Sequence, residues 1–301
     1  MYDFSIVIPV YYSQDSLSNL LETLQNELSG HKFQIILVND GSKDKSNAIL
    51  KNYVTTHSDI IYINLRKNFG EFNAVMCGLS HVEGNYAIII DDDFQNPPSE
   101  IVKLYIEAKT NELDVVYSQY EEKKHSIFRN FGSAVLNYLF TFLMAKPKNL
   151  YLSSFKLISK DIIDEIVKYK GPFPYIDGLI FQITDNIGKV TVKHSARANG
   201  ESNYTFSKLF SLFMTAVLGY SILPIRLLNL LGILAIFMSL VQGIFNFQSI
   251  FQNFPPYLLF KDGILLLAIS LIGEYLGKSF LILSGKPQYI IKKIYKSKVT
   301  L

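Results

Sequence analysis

The first two hundred residues alternate short apolar runs with segments in which apolar residues recur at helical spacing. The run from Phe4 to Val10 is typical of a buried strand, and the stretch from about Asp15 to Leu28 has the period of an amphipathic helix. Four more strands are predicted in the same cycle: QIILVN, IIYINL, Tyr86 to Ile90 and DVVYSQ. This alternation predicts an α/β fold with a doubly wound, Rossmann-like and mostly parallel sheet.

The helices between these strands have their own sequence signals. One is expected from about Glu71 to Val82, and another begins at Ser99 after a Pro-Pro pair. The stretch from Phe155 to Ile187 predicts a strand, a helix, a loop and another helix that complete the domain. Because ligands of such sheets bind at the carboxyl ends of the strands, the polar clusters at those ends are the candidate sites.

The apolar surplus of the chain lies after Leu209. The stretch from Leu209 to Leu223 is shorter than the roughly 20 residues that a spanning helix needs, which favours an interfacial helix. Two later stretches, Leu227 to Phe245 and Gly263 to Leu283, are long enough to cross a membrane. The basic tail GKPQYIIKKIYKSK belongs on the cytoplasmic side under the positive-inside rule, and it is suited to lie on anionic lipid.

These patterns predict an integral membrane protein. An even number of crossings keeps the soluble domain and the tail together in the cytoplasm, and the N-terminus has no features of a signal peptide. The expected regions are a catalytic domain, an amphipathic interfacial helix with its junction, a two-helix transmembrane domain and a basic cytoplasmic tail, at residues 1–205, 206–226, 227–284 and 285–301.

Composition and charge remove other classes of function. A net charge of +3, with no aromatic and basic platform, does not support nucleic-acid binding. The single cysteine, Cys77, lies in an apolar helical stretch, so we expect a core thiol and no internal disulfide.

The stretch IIIDDDFQNPP, Ile88 to Pro98, is the strongest chemical signal. In an extended strand Asp91 and Asp93 would share one face while Asp92 points to the other. Two carboxylates on one face require a cation, and hard oxygen ligands suit Mg²⁺ or Mn²⁺ with phosphate oxygens as further ligands. The alternative is that the acidic residues only end a strand and cap the next helix.

Two further polar clusters follow predicted strands. In the segment from Asn39 to Ser42, a short carboxylate is placed to accept from a base or a ribose, although this segment taken alone favours an ordinary turn with an N-cap. The segment from Arg66 to Gly70 is either a phosphate or base contact or a solvated loop.

Five motifs occur in a meaningful order: VIPVYYSQDSL, VNDGSKDKS, LRKNFGEFNAVMCGL, DDDFQNPPSEI and ARANGESNYTFSKL. Together they resemble the family 2 glycosyltransferases with a GT-A fold. More narrowly the chain resembles the polyprenyl-phosphate glycosyltransferases, the group that includes dolichol-phosphate mannosyltransferases and bacterial undecaprenyl-phosphate sugar transferases. The resemblance covers nearly the whole chain.

The resemblance implies a role for each motif. Pro9 and Tyr11 are expected in the nucleotide-pocket loop, Asp40 at the base and Arg66 beside the nucleotide. The metal and diphosphate site is implied at Asp91, Asp93 and Gln95. Asn39 departs from the commoner Asp-Asp-Gly-Ser pattern, which leaves the role of that position open.

The acceptor side is implied by residues later in the chain. Arg129 and Ser133 are four apart on one helical face, where the resemblance places the lipid phosphate. Asp177 is expected in a loop, either near the sugar or as a helix cap. Arg197 lies in a glycine-containing loop that is suited to cover the diphosphate.

The predicted activity is inverting transfer of a sugar from a nucleoside diphosphate donor, uridine by resemblance, to polyprenyl phosphate for cell-envelope glycan modification. The catalytic set comprises Asp91, Asp93, Arg129, Ser133 and Asp177. The resemblance also implies assembly into a homo-oligomer. The alternatives are an inactive, membrane-tethered nucleotide-sugar scaffold and a processive polysaccharide synthase, whose QxxRW motif is incompatible with a chain that lacks tryptophan.

Overall fold

The computed structural model describes residues 2–120, 147, 150–193, 230 and 256–296 of the chain. The chain forms two compact units. The first combines residues 1–141, 145–203 and 287–301, and the second combines 142–144 with 204–286. The sheet and every site residue that the structure describes belong to the first unit.

The first unit contains an eight-stranded sheet in the order β7-β5-β6-β4-β1-β2-β3-β8. Its strands are β1 (Phe4–Val10), β2 (Phe33–Asn39), β3 (Ile60–Leu65), β4 (Tyr86–Ile89), β5 (Val115–Tyr120), β6 (Lys156–Ser159), β7 (Ile187–Val192) and β8 (Ile291–Lys296). The five strands predicted first in the chain are all confirmed, to within one residue at either end.

The described helices are α1 (Leu17–Glu27), α2 (Ser46–Thr56), α3 (Glu71–Leu79), α4 (Ile101–Thr110), α5 (Lys160–Ile166), α6 (Ile176–Ile183) and α7 (Pro256–Leu283). A 3-10 turn, Pro98–Glu100, precedes α4, as the Pro-Pro start predicts. The expected strand, helix, loop and helix after Phe155 correspond to β6, α5 and α6.

The core forms where apolar faces of helices cover the sheet. All seven residues of β1 are buried, as expected for a central strand covered on both faces. In α1 the buried side chains recur at one helical face: Leu17, Leu20, Leu21 and Leu24. Cys77 is fully buried in α3, so the prediction of a core thiol is confirmed, and burial raises its pKa to about 12.

The sheet is mostly parallel, as predicted, with two antiparallel strands that the sequence did not indicate. Six of its eight strands run in one direction, whereas β6 runs antiparallel to both β4 and β5, and β8 runs antiparallel to β3. Apolar periodicity identifies a strand without its direction, because side chains alternate in both kinds of pair.

The parallel half of the sheet sets the place for a ligand. From β1 the chain passes outward to β2 and β3, then returns to the other side of β1 as β4. This reversal makes a topological switch point between β1 and β4, where the loops after these strands diverge and leave a crevice. Asp91 to Gln95 follow β4 at this point.

The described part of the second unit consists mainly of α7, which has 28 residues and includes the whole of the predicted second span, Gly263–Leu283. Among the described residues, no helix has the length and apolarity to cross a membrane. The interfacial helix and the first span, at residues 206–245, lie outside the described residues apart from residue 230, and both membrane spans stay predictions.

Candidate active site

The loops after β4, β1, β2 and β3 share one edge of the sheet. They begin at residues 90, 11, 40 and 66, and the four strands are consecutive neighbours in the order given. Because the strands are parallel, their carboxyl ends lie together. The sequence clusters for base, nucleotide and diphosphate are therefore adjacent, as predicted.

The turn after β2 is built by Asn39. Its side-chain oxygen accepts from the backbone N–H of Ser42 at 3.0 Å, and its amide donates to the Tyr62 hydroxyl at 3.2 Å and to Asn64 Oδ1 at 3.4 Å. Gly41 has φ +75°, a left-handed conformation that favours glycine. Asn39 thus acts as a buried donor and turn former, a role that a carboxylate, which only accepts, would not reproduce.

Asp40 fastens the loop after β2 to the loop after β3. Its two carboxylate oxygens accept the backbone N–H groups of Phe69 at 2.7 Å and Gly70 at 2.9 Å. Burial raises the pKa of Asp40, and these two hydrogen bonds oppose that shift. The contact of Asp40 with a base stays a prediction, but its carboxylate is already fixed in position.

Gly41 allows the two loops to touch. A Cβ at this position would lie 2.5 Å from the carbonyl carbon of Lys67 and 2.6 Å from the nitrogen of Asn68, both backbone atoms. A glycine is therefore needed at this position for two reasons: the left-handed turn, and the close approach of the backbone of the Arg66–Gly70 loop.

The loop after β1 presents two aromatic rings. Tyr11 and Tyr12 are 48% and 51% exposed and meet edge to face at 4.6 Å between centroids. Pro9, by contrast, lies inside β1 and is buried, which corrects its expected place in the loop. The buried run extends to Val10, so the loop begins one residue after it, at Tyr11.

Asp92 joins the loops on either side of the switch point. Its carboxylate accepts the Tyr11 N–H at 3.1 Å and the Ser13 hydroxyl, while Ser16 Oγ donates to its backbone oxygen at 2.7 Å. Burial raises the pKa of Asp92 to about 6; the bonds from Ser13 and Tyr11 lower it, and the neighbouring carboxylates raise it further. Asp92 therefore connects the loop after β4 to the loop after β1.

Asp91 and Asp93 lie beyond the end of the strand, because β4 stops at Ile89. The pleat argument for their common face does not apply in a turn, although Asp92 does have different partners from the other two. Asp91 Oδ2 accepts the Ser154 hydroxyl at 2.5 Å, and Asp93 Oδ1 accepts the Gln95 N–H at 3.1 Å. Between them and Gln95, Phe94 has φ +63°, which is strained for a non-glycine residue.

This arrangement fits a cation that is bound jointly with a ligand. No group of three or more His, Cys, Asp or Glu residues that would hold a metal occurs within the described ranges. Mg²⁺ is commonly held by one or two carboxylates together with substrate phosphates rather than by a complete protein cage. Asp91, Asp93 and the Gln95 amide supply that kind of oxygen set.

A chain of hydroxyl groups supports the far side of the crevice. Ser118 Oγ donates to Ser153 Oγ at 2.7 Å, Ser153 contacts the Tyr120 hydroxyl at 2.9 Å, and Tyr120 donates to Asn96 Oδ1 at 2.9 Å. The adjacent residue, Ser154, is the donor to Asp91. Sequence reasoning missed these serines, since the sequence carries no motif around Ser153 and Ser154.

Asp177 is buried, 5% exposed, in the first turn of α6 and not in a loop, which corrects its expected location. Its Oδ1 accepts from the Tyr117 hydroxyl at 2.7 Å and from Lys156 Nζ in a buried ion pair. Lys156 also lies 4.9 Å above the centre of the Tyr117 ring. The proximity of Asp177 to a sugar stays a prediction.

The remaining predicted residues divide into two groups. Arg66 is exposed directly after β3, and its backbone N–H donates to the carbonyl oxygen of Ile290 at 2.9 Å. Arg129, Ser133 and Arg197 lie outside the described residues. The structure thus brings together the donor-side residues, and the acceptor-side arginine and serine stay predictions.

Comparison with known proteins gives the family of the chain. The model of "Glycosyl transferase family 2" matches residues 5–167, which include the strands and loops just described up to α5. The chain is 31% identical over 305 residues to an undecaprenyl-phosphate 4-deoxy-4-formamido-L-arabinose transferase of Salmonella paratyphi B, covering 96% of this chain and 93% of the relative. A Klebsiella pneumoniae relative of the same name is 29% identical, with 98% and 94% covered.

Solved structures support the fold. Glucosyl-3-phosphoglycerate synthase of Mycobacterium tuberculosis, in complex with Mn²⁺, UDP-glucose and phosphoglyceric acid, has a TM-score of 0.54 at 15% identity, covering 72% of this chain and 78% of that one. A second structure of that enzyme has a TM-score of 0.53. The resemblance to polyprenyl-phosphate glycosyltransferases is therefore confirmed, and the chain belongs to glycosyl transferase family 2.

Proposed function

We propose that the protein transfers a sugar, with inversion, from a uridine diphosphate donor to undecaprenyl phosphate at the cytoplasmic face of the membrane. The observation that carries the proposal is the position of Asp91, Asp93 and Gln95 at the switch point, beside the loops of Tyr11 and Asp40. Undecaprenyl phosphate is proposed as the acceptor because the relatives that match nearly the full chain are named for it.

The donor side is already organised. Asp92 fixes the loop of Tyr11, and Asp40 fixes the loop of Arg66, so the walls of the crevice are held by hydrogen bonds between loops. Such preorganisation reduces the free energy that is lost in ordering a site around its ligand. We assign the nucleoside to the loops of Tyr11, Asp40 and Arg66, and the diphosphate to Asp91, Asp93 and Gln95.

A divalent cation is part of this proposal. When bound, Mg²⁺ or Mn²⁺ neutralises the negative charge that the departing diphosphate develops. The donor set of two carboxylates and an amide oxygen fits either ion. Mn²⁺ in the complex of the Mycobacterium tuberculosis enzyme, which shares the fold, supports divalent metal use.

The acceptor needs little activation. A phosphate monoester has its second pKa near 6, so at neutral pH it is largely a dianion with a nucleophilic oxygen. That oxygen forms the new bond to the anomeric carbon, while the bond to the diphosphate oxygen breaks and its electron pair leaves with the nucleoside diphosphate. No strong base is required, and we assign alignment of the acceptor to Arg129 and Ser133, and cover of the diphosphate to Arg197.

Delivery of a lipid acceptor implies a membrane-bound protein. We place the spans at Leu227–Phe245 and Gly263–Leu283, with catalytic domain and tail in the cytoplasm of a bacterial cell. An exposed apolar stripe along α7 supports this assignment: Leu265, Ile269, Ile272, Leu276 and Phe280. The strand β8 also supports two crossings. It follows residues 204–286 in the chain and pairs with β3, so the chain must cross the membrane an even number of times between the sheet and β8.

The test is a search for the lipid product. Purified full-length protein is incubated with Mg²⁺, undecaprenyl phosphate and a panel of nucleotide sugars that includes the UDP derivative of 4-deoxy-4-formamido-L-arabinose, the sugar named for the relatives. Mass spectrometry of the organic extract should find one glycosyl phospholipid. Free sugar or unchanged lipid with every donor would contradict the proposal.

A further inference from the structure

The chain returns to the catalytic sheet after the second unit. Residues 287–296 belong to the first unit, although the whole stretch 204–286 separates them from the rest of it. Within this segment β8 pairs antiparallel with β3, from Ile61 opposite Lys296 to Leu65 opposite Ile291. The sequence predicted only a basic tail here, so the strand is a new element at the edge of the sheet.

The segment contacts the loop that carries Arg66. The carbonyl oxygen of Ile290 accepts the Arg66 N–H at 2.9 Å, directly beyond the last residue of β3. On its other side the same loop is held by Asp40, through the N–H groups of Phe69 and Gly70. The Arg66–Gly70 loop is therefore fixed at its two ends by groups that come from different parts of the chain.

The segment has buried anchors of its own. The Gln288 side chain is 9% exposed, and its amide nitrogen donates to the carbonyl oxygens of Tyr169 at 2.9 Å and Gly171 at 2.8 Å. The Tyr289 hydroxyl lies 3.3 Å from Ser80 Oγ at the end of α3. Gln288 thus ties the start of the segment to the α5–α6 loop, and Tyr289 ties it to the helix that follows the Arg66–Gly70 loop.

The far end of the segment is anchored beneath the Asn39 turn. Tyr295 stacks on Tyr62 with 5.2 Å between ring centroids and 9° between planes. The Tyr62 hydroxyl accepts from the Asn39 amide at 3.2 Å and donates to Asn47 Oδ1 at 2.7 Å. The ring of Tyr295 therefore supports the residue that precedes Asp40.

From these contacts we infer that residues 287–296 are a positioning element of the donor site, with Gln288 and Tyr295 as its anchors. The inference rests on the proposed function, since it assigns the loops of Asp40 and Arg66 to the nucleotide. Gln288 acts through the segment itself, by fixing the stretch whose Ile290 carbonyl oxygen accepts the Arg66 N–H. Tyr295 acts through the side chains of Tyr62 and Asn39. Loss of either anchor should weaken binding of the nucleotide more than it slows the chemical step.

The lysines of β8 provide a competing explanation for the same segment. Lys292, Lys293 and Lys296 are exposed, as is Ile294 at 37%, and an exposed basic strand is suited to contact anionic lipid. Lys293 lies 4.8 Å above the ring of Tyr295 and so belongs to both explanations. Lys292 and Lys296 belong only to the lipid explanation, because no side-chain contact joins them to either anchor among the described residues. Variants of the two sets separate them.

The experiment measures UDP binding by calorimetry in the presence of Mg²⁺, with full-length protein in detergent. Gln288→Ala and Tyr295→Ala should each raise the Kd for UDP about tenfold, which corresponds to a loss of about 1.4 kcal/mol of binding free energy. Tyr295→Phe keeps the ring that stacks on Tyr62 and should restore the Kd. The double variant Lys292→Ala/Lys296→Ala is the matched control and should bind UDP as the wild type does.

Transfer to undecaprenyl phosphate is measured on the same proteins. The inference predicts a raised KM for the nucleotide sugar, with kcat and the KM for the lipid unchanged. Wild-type UDP affinity in both alanine variants would overturn it, as would a defect confined to the lysine variant and to the lipid KM. A wild type that binds UDP without transfer would overturn the proposed function alone, because the Kd comparison tests the positioning element independently.

Discussion

The buried ion pair between Lys156 and Asp177 allows a quantitative prediction. The two side chains are 4% and 8% exposed, and Asp177 Oδ1 also accepts from Tyr117. Replacing one member leaves the other as an unpaired charge away from water. Such a change destabilises a protein by about 3–5 kcal/mol, whereas an apolar replacement of both members is often nearly neutral.

This loss is large for the catalytic unit. A typical domain is stable by about 5–15 kcal/mol, so one substitution would remove about a fifth or more of that stability. For a domain of this size each kcal/mol shifts the unfolding midpoint by about 2–4 °C, which gives a fall of roughly 6–20 °C for Lys156→Met or Asp177→Leu. The triple variant Lys156→Met/Asp177→Leu/Tyr117→Phe leaves neither an unpaired charge nor an unpaired hydroxyl. It should recover most of the lost stability.

The assay is thermal unfolding of each variant in detergent, followed by transfer to undecaprenyl phosphate below the midpoint. The chain offers a matched control in Lys160 and Asp164, an ion pair whose side chains are 38% and 55% exposed. Breaking that exposed pair should change stability by less than about 1 kcal/mol.

The outcome also separates two roles of Asp177. If Lys156→Met or Asp177→Leu lowers the unfolding midpoint no more than breaking the exposed control pair does, the reasoning from burial is refuted. If the triple variant regains both stability and transfer, Asp177 supports the fold only. Recovered stability without transfer would assign it to the sugar site.

Three more predictions concern the donor crevice. Gly41→Ala should raise the donor KM by about 10–100-fold, because its Cβ would collide with the backbone of Lys67 and Asn68. Gly30→Ala is the control, since a Cβ there has no atom within 4 Å. Equal donor KM values for the two variants would contradict the account. Asp92→Ala should raise the donor KM about tenfold through release of the Tyr11 loop, whereas the exposed Asp15→Ala should not; equal effects would argue against the link. Chelation with EDTA should abolish transfer and Mg²⁺ or Mn²⁺ should restore it, so activity that persists in EDTA would exclude the metal.

Much of the donor site was predictable because it is encoded locally. Runs such as Ile60–Leu65 identify strands, and polar residues at their ends must share an edge once the strands are parallel. The sequence alone therefore assigns the aspartates after Ile90 to a phosphate and metal site. The unfavourable backbone of Phe94, in the same loop, had no signal in the sequence.

The remainder depends on contacts between distant segments. Nothing near Asp177 indicates that Lys156 and Tyr117 will meet it, and nothing near Asp92 indicates Ser13. The return of Ile291–Lys296 to the sheet was hidden because its lysines are typical of a solvated tail. Those lysines also occupy an edge strand, where exposed charge prevents pairing with another chain.

The most direct test of the central claim is transfer of radiolabelled sugar into organic-extractable lipid by wild type and Asp93→Ala, with UDP binding and thermal unfolding measured on both. The account predicts labelled lipid from the wild type and none from Asp93→Ala, which should remain folded. Unchanged turnover in Asp93→Ala would contradict the metal and diphosphate site. UDP binding by the wild type without labelled lipid would instead favour a nucleotide-sugar scaffold.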